Sequence, residues 1–255
     1  MRLEDLKPTE RFAGRQADYS MARPGYPAEV LRLLESKALF SSQTRVADVG
    51  SGTGKLTALF LENGNEVFAV EPNADMRAEA EKLLGRYMGF HSVIGTAEST
   101  GLPEESVGLV SVGQAFHWFD KLRAKKEFLR ILGSPGFVVL VWNTRKRKEG
   151  TFSRDYEELI EEHKSGTLGW SSSKREEKDI SKFFANNFAA AKFDYFQNLD
   201  FEHLLARIRS ASYMPREGKK FERLVKSAKR AFVKHESRGP VTMEYDTEVY
   251  VGKLR

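Results

Sequence analysis

The hydrophobic positions of the chain fall alternately into short continuous runs and stripes of helical spacing. The apolar runs occupy residues 45–49, 66–71, 92–96, 107–113 and 137–142. The helical stripes lie between or before them, at residues 28–39, 55–63, 74–87 and 122–132. Continuous apolar runs are typical of strands buried on both faces, and repeated strand–helix units predict a parallel sheet. We therefore predict a doubly wound α/β fold, whose ligands bind at the carboxyl ends of the strands.

The pattern changes after Trp142. Residues 145–150 are predicted to be a charged loop, 154–164 a charged helix, and 165–174 a loop rich in Ser and Gly. The remaining predictions are a late strand at 191–199, helices at 201–213 and 217–236, and a closing strand at 241–254. The last of these is rich in Val, Thr and Tyr, which favour strands.

Composition narrows the classes of function. Cysteine is absent, which excludes disulfides, a cysteine nucleophile and thiolate metal sites. Lys and Arg number 41 against 36 Asp and Glu, a net charge of +5 that suits an acidic small substrate and is too small to indicate nucleic acid. The first ten residues lack the apolar run of a secretory signal, and no run approaches the ~20 residues of a membrane helix. We expect a cytoplasmic protein with no membrane partner.

Three glycines at alternate positions follow Asp48, in the segment 46-VADVGSGTGKLT-57. A phosphate-binding P-loop is excluded, because Val49 stands where its first glycine belongs and Leu56 where it needs Ser or Thr. A dinucleotide fingerprint fails at its third glycine, which is replaced by Lys55. The remaining pattern, Asp-x-Gly-x-Gly-x-Gly, lets the backbone approach a bulky ligand whose anionic end meets the amides of the next helix.

Acidic residues end the next two predicted strands. Glu71 lies 21 positions after Gly50, where a carboxylate can accept both hydroxyls of a ribose. The segment Thr96-Ala97-Glu98 ends the third predicted strand, where a polar group can meet an adenine amine. A tight turn without a ligand is the alternative for the glycines, and a solvated loop acid is the alternative for Glu98.

Four segments together resemble a known family: VADVGSGTG, AVEP, GTAESTGLP and VGQAFHWF. They are similar to the class I S-adenosylmethionine-dependent methyltransferases. The similarity is greatest to the small-molecule group that carries RPGYP and AFHWF segments, which includes the trans-aconitate methyltransferase-like proteins. The resemblance covers about residues 8–143 and returns weakly over 199–213, at RIRSASYMP.

The resemblance implies S-adenosylmethionine as the cofactor and a Rossmann-like seven-stranded sheet. The last strand is expected to be antiparallel, with helices on both faces and helical additions at the N-terminus and late in the chain. We expect a single domain with an N-terminal cap (1–40), a cofactor-binding core (41–143), a variable substrate-side region (144–240) and a closing strand (241–255).

The resemblance also implies the cofactor contacts. Asp48 lies near the methionine amino group, Glu71 binds the ribose, and Gln114 meets both the methionine part and the acceptor. Gly50 and Gly52 let the backbone pass the carboxylate and sulfur. The expected cofactor set is Asp48, Gly50, Ser51, Gly52, Glu71, Pro72, Met76, Ala97, Glu98 and Gln114.

The acceptor is expected to be a small molecule. The fourth strand ends in Gly113-Gln114-Ala115-Phe116, and the Asn/Asp-Pro-Pro-aromatic motif of enzymes that methylate nucleic-acid amines is missing. A carboxylate is the favoured acceptor because of the resemblance, the net charge of +5 and the lack of a catalytic dyad visible in the sequence. A carboxylate is already ionised at pH 7, so its methylation needs no base. The predicted acceptor-side residues are Tyr19, Arg23, His117 and Tyr213, with Phe12 and Tyr26 in the same lid and Ser212 beside Tyr213.

Several alternatives stay open at this point. His117 is a general base, an acceptor-binding group or a histidine hydrogen-bonded within a loop, and Trp118 is interpreted as packing. Buried packing is the alternative for Phe12 and Tyr26, and a helix end is the alternative for Ser212 and Tyr213. The basic segment from Arg216 to Arg238 has an apolar stripe, so its charges are interpreted as a solvated face, as are Arg145–Lys148. The other histidines are too scattered for a metal site. Four rival functions remain. The protein could be an NAD(P) dehydrogenase, which Lys55 disfavours, or an RNA methyltransferase. It could also transfer the methyl group to another oxygen, sulfur or nitrogen acceptor, or bind the cofactor without catalysing a reaction.

Overall fold

The protein is organised around one seven-stranded sheet. The structure is a computed structural model, which describes residues 16–164, 173–211, 213–236 and 240–254. The strands are β1 (Val46–Val49), β2 (Val67–Val70), β3 (Phe90–Val93), β4 (Val107–Gly113), β5 (Leu132–Arg145), β6 (Phe188–Leu199) and β7 (Val241–Gly252). Their order is β3-β2-β1-β4-β5-β7-β6. Strands β1 to β5 pair in parallel, and β7 is antiparallel to both of its neighbours. The expected sheet with a reversed last strand is confirmed.

Helices join the strands and cover the sheet. They are α1 (Gln16–Ala22), α2 (Glu29–Lys37), α3 (Lys55–Glu62), α4 (Ala74–Leu84), α5 (Lys121–Ile131), α6 (Phe152–His163), α7 (Ser173–Phe183), α8 (Phe201–Ser210) and α9 (Gly218–Glu236). Side-chain caps fix several helix starts. The Asn73 side chain accepts from the Met76 amide at 3.0 Å, and Asp120 accepts from two amides at the start of α5. In the described part of the chain, no helix combines the length and the apolar character that a membrane span requires.

Alternate residues of β5 point into two separate cores, as the period of a strand requires. Val138 and Leu140 pack with Phe116, Phe128 and Phe184 on the face that α5 and α7 cover. Val139 and Val141 belong to the other core, formed with α2 and α3. Helices therefore cover both faces, as expected.

A third core forms beyond the central strands. It joins α6, α8 and α9 to the long antiparallel strands β6 and β7, through residues such as Phe152, Leu204, Phe232, Met243 and Tyr245. This core holds the late helices over the end of β5, where they form one wall of the candidate site.

Three sequence predictions need correction. The predicted charged loop at 145–150 begins inside a strand, because β5 continues to Arg145 through pairing with Tyr245 of β7. The third strand was predicted at 92–96 but spans Phe90–Val93. It ends there because the chain then turns, with a hydrogen bond from the Thr96 amide to the Ser99 carbonyl. The helix predicted over 201–213 ends at Ser210. Helices α1 and α7 were not predicted. Most of the loop predicted at 165–174 lies outside the described residues.

Candidate active site

Every described residue of the predicted site lines one cavity of about 1040 Å³. The cavity opens at the carboxyl ends of β1, β2, β4 and β5, where the strand order reverses between β1 and β4. Open parallel sheets bind their ligands at this switch point. The sequence-predicted residues in its wall are Tyr19, Arg23, Asp48, Gly50, Ser51, Gly52, Glu71, Pro72, Met76, Ala97, Glu98, Gln114, His117 and Tyr213.

Asp48 lies fully buried in β1, at the floor of the cavity. Its two carboxylate oxygens accept hydrogen bonds from Thr57 Oγ1 at 2.6 Å and Ser111 Oγ at 2.9 Å. Burial raises the pKa of Asp48 to about 6, and the two hydroxyl donors offset part of that rise. A cationic group bound beside this carboxylate would stabilise its charged form.

The glycine loop after β1 has space for a ligand at Gly52. Gly52 has φ +58°, and a Cβ placed there would meet no heavy atom within 4 Å. Gly50 differs, because its Cβ would lie 2.7 Å from the Ala115 side chain. The buried hydroxyls of Ser51 and Thr53 have no hydrogen-bond partner among the described residues. Gly52 thus offers close approach and the two hydroxyls offer polar contacts, whereas Gly50 is required by protein packing.

Glu71 follows β2 and joins two loops at the mouth of the cavity. Its Oε2 accepts from the Gly52 amide and its Oε1 from the Asn73 amide, both at 2.9 Å. Burial raises the pKa of Glu71, while the two amides and Arg77 act in the opposite direction. Each carboxylate oxygen has two acceptor sites, so both can still accept a hydroxyl. The geometry therefore fits the ribose role predicted for this residue.

An apolar wall continues from Glu71. Met76 and Ala97 are almost completely buried, and Pro72 lies beside them in the lining of the cavity. Glu98 lies in the loop beyond β3, where its Oε1 accepts from the Asp120 amide at 2.9 Å. An apolar surface of this kind is suited to an aromatic base, and Glu98 lines the same cavity.

Gln114 adopts a left-handed backbone conformation, with φ +60°, directly after β4. Non-glycine residues rarely take this conformation, and such strain concentrates at functional sites. Its side-chain amide donates to the Asn143 carbonyl at 3.1 Å, and the Asn143 amide donates to the Gly25 carbonyl at 2.8 Å. Gln114 therefore links the end of β4 to β5 and, through Asn143, to the N-terminal segment over the cavity.

His117 lies in a 3₁₀ turn, Phe116–Trp118, after Gln114. Burial, together with the positive charge of the nearby Lys121, lowers the pKa of His117 to about 3. The imidazole is thus neutral at working pH and a weak base, and it can still donate one hydrogen bond. Of the roles left open by the sequence, the general base is therefore disfavoured.

The N-terminal segment covers the acceptor side of the cavity. The Arg23 guanidinium lies 4.9 Å from the centre of the Tyr19 ring, and its buried Nε has no acceptor among the described residues. Tyr26 also lines the cavity, and its hydroxyl occupies the space that a side chain at residue 113 would need. Tyr213 closes the pocket from beyond α8. Phe12 and Ser212, predicted to contribute here, lie outside the described residues.

The sequence interpretation missed three arginines in the cavity wall: Arg145, Arg147 and Arg207. Arg145 was expected on a solvated face, but only 22% of its side chain is exposed and it is hydrogen-bonded to Glu157. Arg207 is 2% exposed. The sequence contains an indication that Arg207 is buried, because this residue falls within the apolar stripe of α8, between Leu204 and Ile208.

Other charged groups do not gather into a metal site. Among the described residues, His, Asp and Glu side chains form no group of three or more that could hold a metal ion.

Comparison of the sequence with known proteins finds similarity to methyltransferases. Residues 47–140 match the family model described as a methyltransferase domain. An uncharacterized methyltransferase of Mycobacterium tuberculosis is 38% identical over 149 residues, 58% of this chain and 58% of that protein. A probable S-adenosylmethionine-dependent methyltransferase of Saccharomyces cerevisiae is 33% identical over 127 residues, 47% of this chain and 42% of that protein.

The fold is also that of known methyltransferase structures. A proposed type II methyltransferase of Anaeromyxobacter dehalogenans superposes with a TM-score of 0.67 at 18% identity, covering 91% of this chain and 97% of that one. The chain spans little more than half of the mycobacterial relative it matches, 58% of its length. The domain match and the relatives are all methyltransferases, and the sheet has the fold of a protein described as one.

Proposed function

We propose that this protein transfers a methyl group from S-adenosylmethionine to a carboxylate oxygen of a small molecule. The observation that carries the proposal is the division of the cavity. One end has Asp48, the glycine loop and Glu71, which suit an amino acid and a ribose, and the other end has Arg23, Arg145 and Arg207. A guanidinium-rich wall favours an anionic acceptor.

The cofactor end fits the proposed ligand group by group. Glu71 offers acceptor sites for ribose hydroxyls, and Met76 and Ala97 provide an apolar surface for adenine. Asp48 provides a negative charge for the amino group, directly or through water. The hydroxyls of Ser51 and Thr53 provide donors near the open face of Gly52.

The acceptor end needs to orient and neutralise an anion. S-Adenosylmethionine supplies a methyl group on a positively charged sulfur, which leaves as a neutral thioether when an acceptor oxygen displaces it. A carboxylate, with a pKa of about 4, is ionised at pH 7 and requires no proton removal. Arg23 neutralises its charge, while Tyr19, neutral His117 and Tyr213 act as donors that orient it. Catalysis then rests on positioning and on exclusion of water.

The resemblance to the trans-aconitate methyltransferase-like group supports the same acceptor class. The RPGYP segment places Arg23 directly before Pro24-Gly25, and the Gly25 carbonyl is held by Asn143. The N-terminal segment is therefore tied to the end of β5, in a position to cover a small acceptor.

The test is a turnover screen with methyl-labelled S-adenosylmethionine over sets of carboxylates, phenols, thiols and amines. A carboxylate acceptor gives a methyl ester, so the label is released as methanol by mild base. Label that enters a product and resists base would instead show an ether, thioether or amine product and would contradict the carboxylate acceptor. The Glu71→Ala variant serves as the control for cofactor-dependent labelling.

A further inference from the structure

The end of β5 presents side chains to the cavity on both faces of the sheet. Trp142 lies with Leu140 in the core that α5 and α7 cover, whereas the period of the strand places Arg145 on the face of Val141. Both Trp142 and Arg145 line the cavity. The cavity therefore extends around the end of β5 onto the face opposite to Arg145.

Aromatic side chains line the cavity on this second face. The rings of Trp142 and Tyr250 are nearly perpendicular, with 5.9 Å between their centres. Trp118 and Ile180 contribute to the same core and also line the cavity. We call these four residues the aromatic compartment. It lies next to a proposed acceptor contact, because the Trp118 ring is 4.7 Å from the ring of His117.

The indole N–H of Trp142 is a donor that lacks a partner. Trp142 is 7% exposed, and its Nε1 has no acceptor among the described residues. A buried tryptophan usually donates this hydrogen bond, since burying a polar group without one is unfavourable. A bound molecule with an acceptor atom in the compartment would satisfy this donor.

The aromatic compartment is neutral to acidic. Glu248 is directly opposite Trp142 on β7, Glu177 precedes Ile180 by three residues on α7, and both carboxylates line the cavity. The lysines and arginines of the described cavity wall lie outside α7 and the 3₁₀ turn, and Arg145 is on the other face of β5. An anionic group is therefore disfavoured in this compartment.

The Trp142 N–H distinguishes an aryl ligand from a cationic one. Aromatic side chains beside carboxylates also attract ammonium groups. A quaternary ammonium group has no lone pair to accept a hydrogen bond, so it would leave the Trp142 donor without a partner. An aromatic ring that bears a carbonyl or ether oxygen packs against the walls of the compartment and also supplies the acceptor.

We propose that the aromatic compartment binds an aryl group of the methyl acceptor, and that a neutral oxygen on this group accepts a hydrogen bond from Trp142 Nε1. The inference rests on the proposed function, since it places the carboxylate of the acceptor at Arg23 and its ring beyond His117. The acceptor is then an aromatic carboxylic acid with a carbonyl or ether substituent. An aliphatic acid of the same size lacks both the ring contacts and the hydrogen bond.

The experiment uses three carboxylates that differ in one feature at a time: para-acetylbenzoate, para-isopropylbenzoate and the cyclohexane analogue of the second. Transfer from methyl-labelled S-adenosylmethionine gives kcat/KM, and calorimetry in the presence of S-adenosylhomocysteine gives the affinity. We expect the acetyl compound to exceed the isopropyl compound about fivefold, for one neutral hydrogen bond. We expect the isopropylbenzoate to exceed its cyclohexane analogue about fivefold, for the ring contacts.

The outcomes separate this inference from the proposed function. Equal values for the three carboxylates, with base-labile label in the product, overturn the aryl site and leave the proposed function standing. The expected order of affinities without any base-labile label supports the aryl site and overturns carboxylate transfer. Tighter binding of phenyltrimethylammonium than of benzoate would show a cation site and overturn the inference.

Two substitutions separate the two features of the compartment. Trp142→Phe keeps a ring and removes the N–H, so it should abolish the preference for acetyl over isopropyl and keep the preference for the aryl ring. Trp118→Leu removes a ring and keeps the donor, so it should do the reverse. Tyr87→Phe is the control, because it removes a polar group from a ring that does not line the cavity, and it should keep both preferences.

A structural role for Trp142 predicts a different result. Equal losses on all three carboxylates in Trp142→Phe, with the ratios between them unchanged, would overturn the hydrogen bond. If Trp142→Phe does not fold, the half-buried Trp118 still provides a test. An unchanged preference for the aryl ring in Trp118→Leu would overturn the aromatic compartment as the site of the ring.

Discussion

Glu71 Oε2 accepts a hydrogen bond of 2.9 Å from the amide of Gly52, 19 residues earlier in the chain. This bond joins the loop after β2 to the glycine loop after β1. The second carboxylate oxygen holds the Asn73 amide, and the Asn73 side chain in turn caps α4. One carboxylate thus sets the relative position of two loops that line the proposed cofactor site.

Replacing Glu71 should weaken cofactor binding more than it weakens the fold. We expect Glu71→Ala to reduce the affinity for S-adenosylmethionine by roughly 1.5–3 kcal/mol, since charge-assisted bonds to the ribose are lost. Titration calorimetry measures the change, and circular dichroism checks that the variant folds. Glu66→Ala is the control, because Glu66 precedes β2 at the opposite end of the strand and pairs with His91. Parent-like affinity in Glu71→Ala would show that the ribose assignment is wrong.

Cofactor binding should depend on pH through Asp48. Its pKa in the free protein is raised to about 6, so the carboxylate is largely protonated below pH 6 and charged above it. Binding of the cofactor's ammonium group favours the charged form. The dissociation constant should therefore be constant above about pH 6.5 and rise up to about tenfold per pH unit below pH 6.

The Asp48→Asn variant tests this assignment. It should bind S-adenosylmethionine more weakly at pH 7.5, and its affinity should vary little between pH 5 and 6.5. Asp194→Asn, which changes an exposed carboxylate on β6, should keep the parent profile. A parent profile that is flat down to pH 5 would contradict the pairing of Asp48 with a cation.

The two glycines after β1 should respond differently to alanine. Both have positive φ, so each substitution costs about 1–2 kcal/mol of backbone strain. Gly50→Ala adds a collision with Ala115, which should bring the loss of unfolding free energy to about 2–5 kcal/mol. Gly52→Ala should lose only the strain, but its methyl group should reduce cofactor affinity at least tenfold. Urea unfolding and calorimetry separate the two effects, and equal cofactor affinity in Gly52→Ala and the parent would place the ligand elsewhere.

Methyl transfer should not require His117 as a base. Because its pKa is lowered to about 3, the imidazole stays neutral from pH 6 to 9 and the rate should be flat over that range. His117→Ala should act mainly through KM, because a donor to the acceptor is lost. The exposed His203→Ala is the control. A rate that rises steeply with pH, and loses that rise in His117→Ala, would show a base-assisted acceptor and reject the carboxylate.

The central part of the fold was predictable because its residues repeat one local pattern. Each of the strands β1, β2 and β4 is a short apolar run followed by a helix, and their bounds were predicted within a residue or two. The length of β5 was not predictable, since its polar end from Asn143 to Arg145 is stabilised by pairing with β7, about 100 residues later. Helix α7 was missed because its first two turns, from Ser173, are almost entirely polar.

The residues proposed for the cofactor side lie close to strand ends, so the sequence alone could place them at one edge of the sheet. The glycine spacing and the position of Glu71 both place side chains at the same edge of the sheet. The acceptor side is assembled from α1, α6, α8 and β7, which meet only in the folded chain. Arg145 was assigned to solvent because its neighbours in sequence are charged. Its partner Glu157 and the Tyr156 ring come from another element.

The central claim is that the glycine loop, Asp48 and Glu71 bind S-adenosylmethionine. The most direct test is calorimetric titration of the whole protein with S-adenosylmethionine, S-adenosylhomocysteine and NAD. We predict micromolar binding of the first two, about −8 kcal/mol, and no comparable binding of NAD. Tighter binding of NAD than of S-adenosylmethionine, or no binding of S-adenosylmethionine at millimolar concentration, would contradict the account.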